Sequence, residues 1–144
     1  MTGAQKGNYR AKHPEETKVS DALHQAVAHK ITAGRISCQA ALAIARRLKV
    51  APLEVGKAID LQEVRIEACQ LGLFGYGAEK HGPQEARRIS ASLEAAIRQA
   101  LVHGRLSCVD AWSIADAHRV ARIDVARTCE TLRIKICQCQ LGAF

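Results

Sequence analysis

Gly34-Arg35-Ile36-Ser37-Cys38 recurs seventy residues later as Gly104-Arg105-Leu106-Ser107-Cys108. Cys69-Gln70-Leu71-Gly72-Leu73-Phe74 returns at the same displacement as Cys139-Gln140-Leu141-Gly142-Ala143-Phe144. No gap is needed between these anchors, because Ala41, Ile44, Ala45, Val50, Ala51, Val55 and Ile66 return as Ala111, Ile114, Ala115, Val120, Ala121, Val125 and Ile136. Upstream, Glu15, Ser20, Leu23 and Ala26 return as Glu85, Ser90, Leu93 and Ala96. Twenty of the sixty positions in 15–74 are thus identical in 85–144, and most are apolar or turn residues. A constant displacement of this kind marks a duplicated structural unit. The expected organisation is a flexible tail over 1–13, a first repeat over 14–74, a glycine-containing linker over 75–82 and a second repeat over 83–144.

Each copy reads the same way. Its first helix is expected to open near Pro14 or Pro83, with Glu15 and Glu16 or Glu85 in the first turn, where proline and acids suit a helix N-terminus. An apolar stripe follows at helical spacing: Val19, Leu23, Val27 and Ile31, or Ile89, Leu93, Ile97 and Leu101. Gly34 or Gly104 is expected to stop this helix. After two extended residues, Ser37 or Ser107 can cap a second helix. One face of that helix carries Cys38, Ala41, Leu42, Ala45 and Leu48, or Cys108, Ala111, Trp112 and Ala115. A third helix is expected from Pro52 to near Gln62, or from Arg122 to near Leu132. The segments 64–68 and 134–138 then alternate as half-buried strands do.

Composition agrees with a mainly α fold. The chain of 144 residues is 48% hydrophobic but only 3% aromatic, so its core is built from Ala, Leu, Ile and Val. Residues 1–17 are polar and charged, with no export signal expected. No apolar run approaches the roughly 18 residues needed to span a bilayer, so a cytoplasmic protein without membrane association is expected. Twenty-one basic and fourteen acidic residues give a formal charge of +7, which favours an anionic partner. The charge is spread along the chain, and no single block is strongly basic.

The segment from Ala41 to Ile59, Ala-Leu-Ala-Ile-Ala-Arg-Arg-Leu-Lys-Val-Ala-Pro-Leu-Glu-Val-Gly-Lys-Ala-Ile, resembles the central motif of the winged helix-turn-helix family. Ala45 would let two helices approach closely, while Leu48, Val50, Val55 and Ala58 would fill the wedge between them. Ala115, Val120, Val125 and Thr128 stand at the same places in the second copy. The resemblance implies two tandem winged helix-turn-helix repeats, each of three helices plus a short two-stranded sheet. Two departures stand out. Lys49 and Arg119 occupy a turn position where the family usually has a small residue, so the backbone there must avoid positive φ or accept strain. His118 replaces Leu48 at a core position.

The resemblance further implies a DNA-binding regulator, its third helix entering the major groove of double-stranded DNA. On that reading Lys57, Gln62, Arg122 and Arg127 would face bases, while Arg46, Arg47, Lys49 and Arg119 would hold phosphates. The repeats would act as a monomer with internal pseudo-symmetry or as a homodimer. Glu54 and Asp60 give the third helix of the first copy an acidic share, which favours the alternative of a protein-interaction adaptor on the same fold. A further alternative is a thiol- or metal-responsive regulator, with Cys108, Cys129, Cys137 and Cys139 as its candidate ligands. Against it, the first copy lacks counterparts of Cys129 and Cys137, and the chain has no Cys-x-x-Cys pair. No nucleophile has a nearby base in sequence and no glycine-rich phosphate loop follows a strand, so neither an enzyme nor a cofactor is expected.

Overall fold

The computed structural model describes residues 9–75 and 83–144. It is mainly helical, with two small two-stranded sheets. The chain divides into two compact units. Unit 1 holds the described residues up to Cys69 together with Gln140–Ala143; unit 2 holds the described residues of Gln70–Cys139 together with Phe144. The linker read at 75–82 lies outside the described residues except for Gly75, as do residues 1–8 of the tail.

Unit 1 contains α1 (Asp21–Lys30), β1 (Arg35–Ser37), α2 (Cys38–Leu48), α3 (Pro52–Leu61) and β2 (Arg65–Glu67). Serine, not proline, opens α1: the Ser20 Oγ accepts the Leu23 N–H at 3.2 Å, and Asp21 sits in the first turn. The start expected near Pro14 is therefore corrected. Pro14 instead belongs to a turn in which the Thr17 N–H donates to its carbonyl at 3.0 Å, and Val19 lies outside the helix. Gly34 does not terminate α1 either. The helix ends at Ile31 in extended conformation, and Thr32 and Arg35 then exchange two backbone hydrogen bonds across Ala33 and Gly34, at φ +52° and +76°. Two consecutive left-handed residues make a type I′ turn, and that turn is what glycine serves.

Ser37 caps α2 as expected, its Oγ accepting the Ala40 N–H at 3.1 Å. Five side chains of α2 are buried: Cys38, Ala41, Leu42, Ile44 and Ala45. Lys49 ends the helix at φ +56°, and the Val50 N–H reaches the Ala45 carbonyl at 3.0 Å. The backbone has thus taken the strained option, which costs a non-glycine residue about 1–2 kcal/mol. Pro52 then opens α3, where it gives up no helical hydrogen bond. The sheet is parallel, with Ile36 opposite Ile66, and the α2–α3 pair is the crossover that parallel pairing demands. No hairpin joins these strands.

Unit 2 repeats this plan in α4 (Ala91–Ala100), β3 (Arg105–Ser107), α5 (Cys108–His118), α6 (Arg122–Leu132) and β4 (Lys135–Cys137). Ser90 and Ser107 cap α4 and α5, and β3 pairs in parallel with β4. The start expected near Pro83 is corrected in the same way as in unit 1. The equivalence extends to unfavourable backbone. Among the described residues eight non-glycine residues have positive φ, in four pairs seventy apart: Ala33 and His103, Lys49 and Arg119, Glu63 and Arg133, Ala68 and Gln138. The side chains have diverged at all four sites while the chain path has not.

The two cores are aliphatic. Val27, Ile36, Val55, Ala58 and Ile59 are fully or almost fully buried in unit 1, and Ile97, Leu106, Ala111, Val125 and Cys129 in unit 2. The repeated Gln-Leu-Gly tails complete them: Leu141 is buried in unit 1 and Leu71 in unit 2. Their glycines have positive φ, +74° at Gly72 and +79° at Gly142, and lie against matched side chains, Ile123 and Leu53 respectively.

Candidate nucleic-acid interface

The third helix of each unit is central rather than displayed. In α3, Val55, Gly56, Ala58, Ile59 and Asp60 are buried, and Leu53 is its exposed side chain. Part of the segment read as a flexible tail helps to cover it. Tyr9–Lys12 form a 3-10 helix whose Tyr9 and Arg10 N–H groups both donate to the Glu63 carboxylate at 3.0 Å. Lys12 Nζ lies 3.1 Å and His13 Nε2 2.9 Å from Asp60 Oδ2. Asp60 is 6% exposed, so the Lys12 ammonium supplies the charge compensation that a buried carboxylate requires, with His13 at hydrogen-bond distance beside it. In α6 only Arg127 and Glu130 are exposed.

The four side chains expected to face bases all have partners within their own unit. Lys57 Nζ bonds Glu54 Oε1 at 3.0 Å, one helical turn away. Gln62 Nε2 donates to the His24 carbonyl at 3.3 Å, tying the end of α3 to α1. Arg127 is exposed and lies 3.8 Å from Asp124. Arg122 is the most constrained. Its guanidinium carbon stands 3.5 Å from the Trp112 ring centroid, with Asp116 at 3.6 Å and Gln70 Oε1 at 3.5 Å. This stack joins α5 to α6 and is worth about 1 kcal/mol. The Trp112 Nε1–H is buried without an acceptor among the described residues.

The four residues expected to hold phosphates stand differently. Arg46, Arg47, Lys49 and Arg119 are all exposed, and none pairs with a carboxylate among the described residues. Arg46 and Arg47 occupy the last turn of α2 and Lys49 its left-handed cap, so unit 1 gathers three cations at one helix end. In unit 2 the positions of Arg46 and Arg47 are taken by Asp116 and Ala117, leaving Arg119 alone.

The sheets carry cations that the sequence reading did not single out. Arg35 lies opposite Arg65 in the β1–β2 register, and Arg105 opposite Lys135 in β3–β4. Their neighbours Ile36, Leu106 and Ile136 are buried while these cations are exposed, save that Ile66 is half-buried. Like charges directly opposite one another destabilise a strand pair, yet both sheets have them. In unit 1 Arg35 reaches Glu67 at 3.8 Å; the matched residue in unit 2 is Cys137, which offers no carboxylate. The outward placement of Arg35 and Arg105 was legible from alternation with a buried neighbour. Which strand lay alongside was not.

The cysteines do not assemble as a ligand set. Cys108, Cys129 and Cys139 are buried and Cys137 is half-buried, and no three His, Cys, Asp or Glu side chains among the described residues are placed to hold a metal ion. Burial, reinforced by the nearby Glu130 charge, pushes the Cys129 thiol up from 9.0 to about 11, which makes it a poor nucleophile at neutral pH. No helix of the described residues is long and apolar enough to cross a membrane. No family model, curated protein or solved structure matches the chain.

Proposed function

We propose that this chain binds double-stranded DNA by gripping its phosphodiester backbone, as a regulator built from two tandem units of helix-turn-helix type. The observation that carries the reading is the group of three exposed cations, Arg46, Arg47 and Lys49, at the end of α2 without a carboxylate partner among the described residues. Guanidinium and ammonium groups in that state are available to phosphates, and releasing condensed counterions supplies the affinity. Arg105 and Lys135, opposite one another on the second sheet and both exposed, add further cations. Engagement of Lys57, Gln62 and Arg122 within their own units argues that recognition is of backbone rather than of bases.

The test is anisotropy of two labelled duplexes of unrelated sequence, titrated with the full chain between about 50 and 200 mM salt. Both duplexes should bind alike. Removing three phosphate contacts with Arg46→Ala/Arg47→Ala/Lys49→Ala should flatten the log–log salt slope by about 2.7. That corresponds to roughly 40-fold less affinity lost across the salt range. An unchanged slope removes these residues from the interface. The covered third helices favour a second reading, a protein-interaction adaptor, and absence of duplex binding near 50 mM salt would leave that reading standing.

A further inference from the structure

Unit 2 contains an open cleft of about 520 Å³, and of its lining only Arg127 enters the nucleic-acid reading. It forms where the segment before α4 crosses α6. The Ala86 N–H donates to Thr131 Oγ1 at 2.9 Å and to the Arg127 carbonyl at 3.3 Å, which pins the segment. Three arginines line the cleft: Arg87 and Arg88 from the crossing segment and Arg127 from α6. Leu93, Val120 and Thr128 also line it, and Leu93 and Thr128 are buried. Two carboxylates are present as well, Glu85 and Asp124. Asp124 is already committed, accepting the Ala121 N–H at 3.2 Å and facing Arg127. Arg87 and Arg88 have no carboxylate partner among the described residues.

From this geometry we infer that the cleft is a binding site for a small phosphomonoester with an apolar body. Guanidinium forks match the oxygens of a phosphate group two at a time. Its volume falls within the range of small-molecule sites, about 300–1,000 Å³. The lining by Leu93 and Val120 gives an apolar body something to cover, which a backbone phosphodiester would leave bare. Comparison with unit 1 shows how specific the feature is. The residues matching Ala86, Arg87 and Arg88 are Glu16, Thr17 and Lys18, and those matching Arg127 and Thr128 are Lys57 and Ala58. The arginine pair thus belongs to the second copy alone.

The experiment is calorimetric titration of the full chain, without DNA, using phenyl phosphate, inorganic phosphate and a 20-base-pair duplex as separate probes. Phenyl phosphate should bind saturably and about tenfold tighter than inorganic phosphate, the difference coming from burial of its ring. Arg87→Ala/Arg88→Ala should weaken phenyl phosphate at least about tenfold, the loss of charge-assisted hydrogen bonds. Because Arg87 and Arg88 are both exposed, Arg87→Gln/Arg88→Gln should abolish phenyl phosphate binding with the urea midpoint unchanged. Equal binding of phenyl phosphate by wild type and either variant overturns the inference. So does a loss of duplex binding in the variants when the wild type does not bind phenyl phosphate, because a backbone phosphate is then the occupant. The phenyl phosphate readouts do not depend on Arg46, Arg47 or Lys49, so this inference and the DNA reading can fail separately.

Discussion

Replacing Gly56 with alanine should destabilise unit 1, and the sign of the effect is the informative part. A glycine inside a helix is normally improved by this change, by about 1 kcal/mol, because alanine has less backbone freedom to lose. Gly56 lies within α3, buried, and a Cβ there would run into the Leu141 carbonyl oxygen, with the Leu141 carbonyl carbon only 2.8 Å away. Those atoms are backbone and cannot rotate aside. Either α3 shifts, an overpacking strain of about 1–3 kcal/mol, or the 140–143 segment leaves. In the second case Leu141, 2% exposed, returns to water at a cost of about 2 kcal/mol. Subtracting the helix-propensity gain leaves a net destabilisation of up to about 2 kcal/mol if α3 shifts, and about 1 kcal/mol if the segment leaves. Urea denaturation followed by far-ultraviolet circular dichroism measures it, and limited proteolysis near Gln140 reports whether the tail is released. The matched residue in α6 is Ala126, 1% exposed, for which Ala126→Gly should lose about 1 kcal/mol. If the two sites were ordinary interior helix positions, the two substitutions would have opposite signs; with the Leu141 backbone against α3, both destabilise. A Gly56→Ala protein more stable than wild type would refute the packing described for unit 1.

Other substitutions test other parts of the molecule. Arg122→Ala should shift the emission of Trp112, the only tryptophan in the chain, to the red and lower stability by about 1 kcal/mol; an unchanged spectrum would argue against the stack. Ala33→Gly should raise stability by up to about 1 kcal/mol, since glycine adopts the +52° φ without steric cost and Ala33 is exposed; thermal denaturation would register the gain. At Cys129 the folded chain holds the thiol proton more tightly than the unfolded chain does. The stability linked to this group is therefore complete below pH 9.0 and is lost as pH rises through about 11, so urea midpoints should fall in that window. Cys129→Ala should remove that part of the pH dependence, and a midpoint profile identical to wild type would contradict it.

Several local features were legible because their causes lie within a few residues of one another. Ser37 and Ser107 precede apolar-periodic segments and cap them, Pro52 opens a helix, and the alternation at 64–68 and 134–138 gives a strand. The missed starts of α1 and α4 were also present in the sequence. Ser20 and Ser90 are an identical pair, and an accepting hydroxyl at the N-cap outweighed the nearby prolines and acids. The role of Gly34 was misread because a helix stop and a type I′ turn ask for the same residue.

The candidate sites were less legible, and the reason is physical. Whether a charged side chain on a helix meets solvent or a partner depends on what else covers that helix. Lys57, Gln62 and Arg122 looked available because helical spacing placed them off the apolar stripe, yet Glu54, the His24 carbonyl and Trp112 each claim one of them. The cleft beneath Arg87 and Arg88 required the 84–90 segment to cross α6, a placement set by the Ala86 amide and Thr131, forty-five residues apart. The sequence alone determined that there are two copies, that each holds helices with a strand after the third, and that the core is aliphatic, since these follow from periodicity, capping and composition. Tertiary structure decided the parallel pairing of the strands, the burial of the third helices and the side chains left open to a ligand. Those depend on which distant apolar surfaces exclude water together, and no local pattern specifies that.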